Sequence, residues 1–301
     1  MLTADRLRGI FPALPTPVRD DDSVDEVAVG ALFSWLLQQG VDGVVPLGGT
    51  GEYGALARRE RQRMAALSVT AMAGKGPVIA GVLDTGFHDA LQAGKEFAAE
   101  GVDALLVLTP YYTNPTQAGL RDYFLRYADA SPVPVLLYEI PYRTRIAIAP
   151  EVIHTLSRHP NIIGMKACNL DMYHFLQVVA GVDESFTVLS GEDSLFPLHV
   201  AAGAKGGIVV TANLLPRAWR QILEAAEAGR TAEALALHRQ LIPLMNMAFQ
   251  ETNPGPMKSV MDLIGVNAPH MLAPLVEPAP ALQSALRAEL QRLLAVTERA
   301  A

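Results

Sequence analysis

The stretch Asn161-Ile-Ile-Gly-Met-Lys166 is a short apolar run that ends in a charged side chain. A run of this length, rich in β-branched residues, reads as a strand buried on both faces, with the lysine at its C-terminal end. Runs of the same kind lie at Ile10 to Leu14, Gly43 to Leu47, Pro77 to Val82, Ala104 to Leu108, Pro134 to Tyr138, Phe186 to Leu189 and Gly207 to Val210. They recur every ~20 to 35 residues, and helical spacing fills the gaps over residues 27–39, 58–73, 88–100 and 151–158. Gly40 and Gly101 stand where helix C-caps fall. Eight such repeats predict a closed, parallel (β/α)8 TIM barrel, an α/β fold.

Beyond the eighth strand the rhythm changes. Residues 217–228, 231–247, 256–263 and 281–296 read as helices with no strand between them, set apart by prolines such as Pro254, Pro269 and Pro278. The expected organisation is a barrel over residues 1–216 and a C-terminal helical region over 217–301 packed on it, with no linker long enough for independent domains.

Composition narrows the function. Of 301 residues half are apolar, enough for a sizeable core, and the net charge is -7. No stripe of Lys and Arg is present, so no nucleic acid partner is expected. A few local cations suffice to bind a small acid, whatever the overall charge. The N-terminus lacks an apolar leader and no run reaches ~18 apolar residues, which predicts a cytoplasmic protein with no membrane partner. The one cysteine cannot form an intrachain disulfide, and the seven histidines lack metal-ligand spacing, so no metal is expected.

A barrel of this kind carries its chemistry at the C-terminal strand ends. Of five lysines only Lys166 ends so apolar a run. Burial disfavours its charge, so its pKa should fall and its neutral amine become a nucleophile toward a ketone; the plainer reading is an ion pair with Glu139 or Glu192. After the second strand, Pro46-Leu-Gly-Gly-Thr50-Gly-Glu-Tyr-Gly54 lets backbone N–H groups converge on a carboxylate. Part of it matches GxGxxG, but it follows the second strand and lacks the acidic residue of a dinucleotide site, so an NAD-linked oxidoreductase is the weaker reading. Tyr111 and Tyr112 follow strand four, and Tyr138, Tyr142 and Arg143 follow strand five. A phenol can move protons and an arginine can clamp a carboxylate, while Tyr111 and Tyr142 read equally well as packing residues. Gly191 allows a close approach after strand seven, Ile208 on strand eight offers an apolar wall, and Cys168 reads as a buried, inert thiol.

These residues resemble the dihydrodipicolinate synthase and N-acetylneuraminate lyase family of class I aldolases over nearly the whole chain, and most of all its synthase members. The resemblance rests on Gly48-Gly-Thr50-Gly-Glu52, Pro110-Tyr-Tyr112 with Pro115-Thr-Gln117, Tyr138 with Pro141 and Arg143-Thr144, Ile163-Gly-Met-Lys166, Ser190-Gly-Glu-Asp193 and Asn253-Pro254. It implies a Schiff base of Lys166 with pyruvate or a related 2-oxo acid, Tyr138 as the proton-handling phenol, and Tyr112 reaching into a neighbouring subunit's site. Thr50 and the backbone at Gly49 are expected to bind the 2-oxo acid carboxylate, and Arg143 the carboxylate of aspartate semialdehyde. No cofactor is implied, and a homotetramer built as a dimer of dimers is.

The chain departs from the synthase pattern at Gly49, where a first hydroxyl residue is usual. A glycine there is similar to the 5-dehydro-4-deoxyglucarate dehydratases, so a sugar-acid dehydratase or aldolase stands as an alternative, and a non-catalytic 2-oxo acid sensor as another. Arg145 and Val82-Leu-Asp84 also differ from the pattern. Tyr53 and Arg58 stand where lysine-sensitive members carry small or polar groups, so no lysine feedback is expected.

Overall fold

The computed structural model describes residues 2–299; Met1 and residues 300–301, the outer limits of the two expected regions, lie outside the described residues. Seven parallel strands form one sheet: β1 (Gly9–Pro12), β2 (Ile79–Val82), β3 (Ala104–Leu108), β4 (Val135–Glu139), β5 (Ile162–Ala167), β6 (Thr187–Ser190) and β7 (Gly206–Val209). Their order is β1-β7-β6-β5-β4-β3-β2. Every strand position is buried, as the near-continuous apolar runs require.

The run expected as a strand over Gly43 to Leu47 is a correction. It survives as two isolated parallel bridges, Ala13 to Val45 and Val44 to Val78. Val45 N donates to Pro12 O at 3.0 Å and Val44 N to Pro77 O at 3.0 Å, so the segment still closes the barrel between β1 and β2. Pro12, Pro46 and Pro77 carry no N–H, which removes three donors from this corner of the ladder.

Helices cover the outside. Glu26–Gln38, Arg58–Met72, Phe87–Ala99, Gln117–Ala130, Pro150–Leu156 and Met172–Gly181 fall between consecutive strands. Asp25 caps the first by accepting from Val27 N and Ala28 N. Gly40 and Gly101 take φ of +74° and +95° just past two helices, a backbone that a Cβ disfavours.

The C-terminal region is helical, with Pro216–Glu227, Thr231–Ala248, Gly255–Lys258 and Pro280–Arg299. The helix expected over residues 256–263 divides: an α turn ends at Lys258, Val260 leaves the helical region (φ -125°, ψ 2°), and Met261–Ile264 is 3-10. Fully buried Trp219 of Pro216–Glu227 meets Phe196 edge-on at 5.0 Å and donates to Thr211 Oγ1 at 3.2 Å, fixing the appendage to the last strands. Its return segment, residues 249–258, crosses the C-terminal mouth of the barrel.

Candidate active site

Lys166 is six per cent exposed, on β5 directly beside Tyr138 of β4 in register. Its Nζ lies 4.7 Å from the centroid of the Tyr138 ring. Glu139 is not its partner. Successive side chains on a strand point to opposite faces, and Glu139 Oε1 accepts from Ile148 N at 3.1 Å with His174 Nε2 at 3.2 Å. Among the described residues no acid lies within ion-pair distance of Lys166, which favours the reactive reading over the structural one.

The strand ends leave a cavity of about 890 Å³ whose lining includes Gly49, Thr50, Tyr138, Arg143, Lys166 and Gly191. Gly191 has to be small, because an added Cβ would run into Cys168 Sγ and come within 2.8 Å of Lys166 Cγ. Two residues proposed from sequence lie elsewhere. Ile208 is fully buried in β7 against Phe11, and Val210, two residues on, lines the cavity instead. Ile208 sits within the strand, whereas Val210 lies just past its C-terminal end, where the mouth opens. Tyr112 is 90% exposed with φ of +72° and does not line the cavity of its own chain.

The loop after the barrel-closing segment is held from two sides. Asn253 Nδ2 donates to Thr50 Oγ1 at 2.8 Å, leaving the Thr50 hydroxyl proton free to donate into the cavity. Below it, buried Lys258 donates to Glu52 Oε1 at 2.7 Å and to Thr16 O at 3.1 Å, while Glu52 Oε2 accepts from Leu272 N at 2.8 Å. Arg143 sits on the short helix Pro141–Thr144, exposed at the mouth, and among the described residues has no ion-pair partner. A Cβ at Gly49 would find only Arg143 Nη1, at 3.8 Å. A free guanidinium over an open floor suits a carboxylate-bearing substrate.

Electrostatics correct one expectation. Burial does act to lower the Lys166 pKa, but Tyr138, Cys168, Asp193 and Glu192 oppose it, and the net direction is upward. The sequence reading weighed burial alone. Burial pushes the Tyr138 phenol and the Cys168 thiol up, so both are uncharged at neutral pH. Asp193 is anchored: Oδ1 accepts from Val210 N at 2.9 Å, and Oδ2 from Thr211 N and Thr211 Oγ1, both at 2.8 Å. Burial pushes Glu192 up to about 7.

The family model of the dihydrodipicolinate synthetase family matches residues 6–293. The chain belongs to this family. It is 36% identical to the 4-hydroxy-tetrahydrodipicolinate synthase of Acidiphilium cryptum over 285 residues, 95% of this chain and 98% of that protein. The crystal structure of dihydrodipicolinate synthase from Aquifex aeolicus superposes with a TM-score of 0.92 at 34% identity, covering 96% of this chain and 98% of that one. The chloride-inhibited synthase from Acinetobacter baumannii, complexed with pyruvate, does so with a TM-score of 0.91 at 30% identity, covering 95% and 98%. As a member of the dihydrodipicolinate synthetase family the chain is a class I lyase on a (β/α)8 barrel with a C-terminal helical part.

Sequence reasoning weighed Glu192 only as an ion-pair partner of Lys166 and gave no role to Asp193 or Asn253, although it quoted the stretches that hold them. Asn253 lies 203 positions from the threonine it orients, a pairing that no local pattern reveals. Among the described residues no group of His, Cys, Asp and Glu is arranged to hold a metal ion, and no helix is long and apolar enough to cross a membrane.

Proposed function

We propose that this chain is a cytoplasmic 4-hydroxy-tetrahydrodipicolinate synthase, which condenses pyruvate with aspartate semialdehyde through a Schiff base on Lys166. The observation that carries the reading is Lys166 beside Tyr138 at the barrel mouth, in one cavity with Thr50 and with Arg143, which has no ion-pair partner among the described residues. The relatives named as synthases support the same substrates. Among the described residues, those up to 216 supply the barrel, and those from 217 onward form the helical region that braces its mouth.

Lys166, once unprotonated, attacks C2 of pyruvate, whose carboxylate is held by the Thr50 hydroxyl and the backbone at Gly49. Tyr138 donates to the carbinolamine oxygen, and loss of water leaves an iminium. That iminium withdraws electrons from the methyl carbon, so a methyl proton is lost and an enamine forms. The enamine adds to the aldehyde, whose carboxylate rests on Arg143. Attack by the substrate's own amine then expels Lys166 and closes the ring. Gly191 gives the room that the Lys166 stem needs.

Pyruvate and borohydride should leave a reduced adduct on Lys166, absent in Lys166→Ala; a wild-type protein that stays unmodified removes the covalent reading. Arg143→Ala should raise KM for aspartate semialdehyde about 10- to 100-fold, the loss of a charge-assisted hydrogen-bond pair, with KM for pyruvate little changed. The open floor at Gly49 favours a second reading, a sugar-acid dehydratase, in which the same protein releases a 2-oxo acid from a deoxy sugar acid and leaves the semialdehyde untouched. A trapped adduct with no product from either substrate would instead mark a 2-oxo acid sensor. We further propose a homotetramer in which Tyr112 serves the neighbouring subunit's site.

A further inference from the structure

We propose that Glu192 is a further catalytic residue: through one bridging water it takes the proton from the Lys166 ammonium and returns it to the hydroxyl that leaves as water when the Schiff base forms. This rests on the Schiff-base reading above. Glu192 follows the end of β6 and lines the cavity with Lys166, Tyr142 and Arg143. The carboxyl group is hydrogen-bonded with Tyr142, but its Oε1 is buried and, among the described residues, has no hydrogen-bond partner of its own. A buried acceptor left so is costly, and in a cavity it points to a partner that arrives with the reaction.

The other groups around Lys166 are unsuited to the task. Both carboxylate oxygens of Asp193 are occupied by the backbone and hydroxyl at the end of β7. Cys168 is turned to Gly191 O at 3.3 Å, and burial keeps it protonated. Tyr138 can donate, but burial opposes its phenolate, so it is a poor acceptor for an ammonium proton. Gly49 brings no hydroxyl. Across the cavity, Glu251 faces away to Ala279 N at 3.3 Å. Glu192 itself is faced by Tyr142, Asp193, Lys166 and Arg143, and with burial as the leading influence its affinity near pH 7 lets it accept and give back a proton.

The step balances. An N–H bond of the ammonium breaks as its proton passes to the bridging water, which gives one of its own to Glu192, leaving a neutral amine and an intact water. The amine nitrogen bonds to C2 as the carbonyl π pair moves to oxygen; Tyr138 gives its proton to that oxygen and regains one from the nitrogen. Glu192 then protonates the carbinolamine hydroxyl, the C–O bond breaks, water departs, and the carboxylate is restored beside the iminium.

The test follows adduct formation with pyruvate and borohydride from acid to alkaline pH in the full-length wild type, Glu192→Gln and Glu192→Asp. The wild-type rate should rise through about pH 7 as Glu192 ionises. In Glu192→Gln it should fall by ~10²- to 10⁴-fold, with the rise displaced to the alkaline range where Lys166 must lose its proton unaided. Glu192→Asp, which keeps the acid, should retain the rise near neutrality and stands in if the Gln variant does not fold. A Gln variant with the wild-type profile, at full or reduced rate, overturns the role of Glu192 alone. Failure to trap any adduct in the wild type overturns the Schiff-base reading and this proposal with it.

Discussion

A single missing side chain, at Gly49, shapes the chemistry of the cavity floor. Nothing but Arg143 Nη1, at 3.8 Å, meets a Cβ placed there, and the backbone does not take the positive φ that would exclude one. Gly49→Thr should therefore fold and place a hydroxyl beside the Lys166 pocket. If the chain is a synthase working without that hydroxyl, kcat for condensation should rise by up to about 100-fold, the lower end of what a positioned proton carrier contributes. A sugar-acid dehydratase should instead lose activity, because the new side chain takes space from its substrate. The two kcat changes have opposite signs, so one pair of assays on Gly49→Thr separates the readings.

At the scale of elements, the site depends on a loop and a return segment that the buried Glu52–Lys258 pair joins. Burial lowers the Lys258 pKa while Glu52 opposes it, so the pair is sustained by mutual contact. Lys258→Met leaves Glu52 with Leu272 N alone and should destabilise the protein by about 3–5 kcal/mol in urea unfolding, with the Glu52→Gln, Lys258→Met double variant costing clearly less than the sum. Strictly additive losses would show that the two side chains act independently. This bond also marks how far the sequence could be read. The seven strands and four of the helices between them were legible because apolar runs and helical periodicity are local signals, and Lys166 stood out because it ends such a run. The Gly43 to Leu47 strand was overread, since its prolines spoil pairing without altering its apolar look. Asn253 was passed over and Glu192 read only as an ion-pair partner, because their importance lies in a contact across 203 positions and an orphaned oxygen. The direction of the Lys166 shift depends on Tyr138, Cys168, Asp193 and Glu192, which the fold brings together from three strand ends. A second cluster supports a prediction of its own. Tyr53, two per cent exposed, donates to Asp84 Oδ2 at 2.5 Å, Arg61 lies 4.0 Å over the Tyr53 ring and reaches Asp84 Oδ1 at 3.2 Å, and Arg58 pairs with Glu96. With these charges satisfied among themselves, millimolar lysine should leave the initial rate unchanged; saturable inhibition would contradict this.

For the whole molecule, the decisive residue is Tyr112, which 90% exposure and a left-handed backbone hold out from the barrel, away from the cavity of its own chain. An exposed aromatic on a strained turn is expensive unless something receives it. In the arrangement proposed above it completes the proton path of a neighbour's site. That arrangement predicts complementation. Lys166→Ala lacks its own nucleophile but presents an intact Tyr112, whereas Tyr112→Phe keeps Lys166 and lacks the hydroxyl its partner needs. Each variant alone should be strongly impaired in condensation. When the two are unfolded together and refolded, each mixed pair contains one site with both Lys166 and Tyr112, so activity should return in proportion to the mixed pairs formed. Were Tyr112 to act within its own chain, every Tyr112→Phe site would stay impaired whatever its neighbour, and mixing would recover nothing.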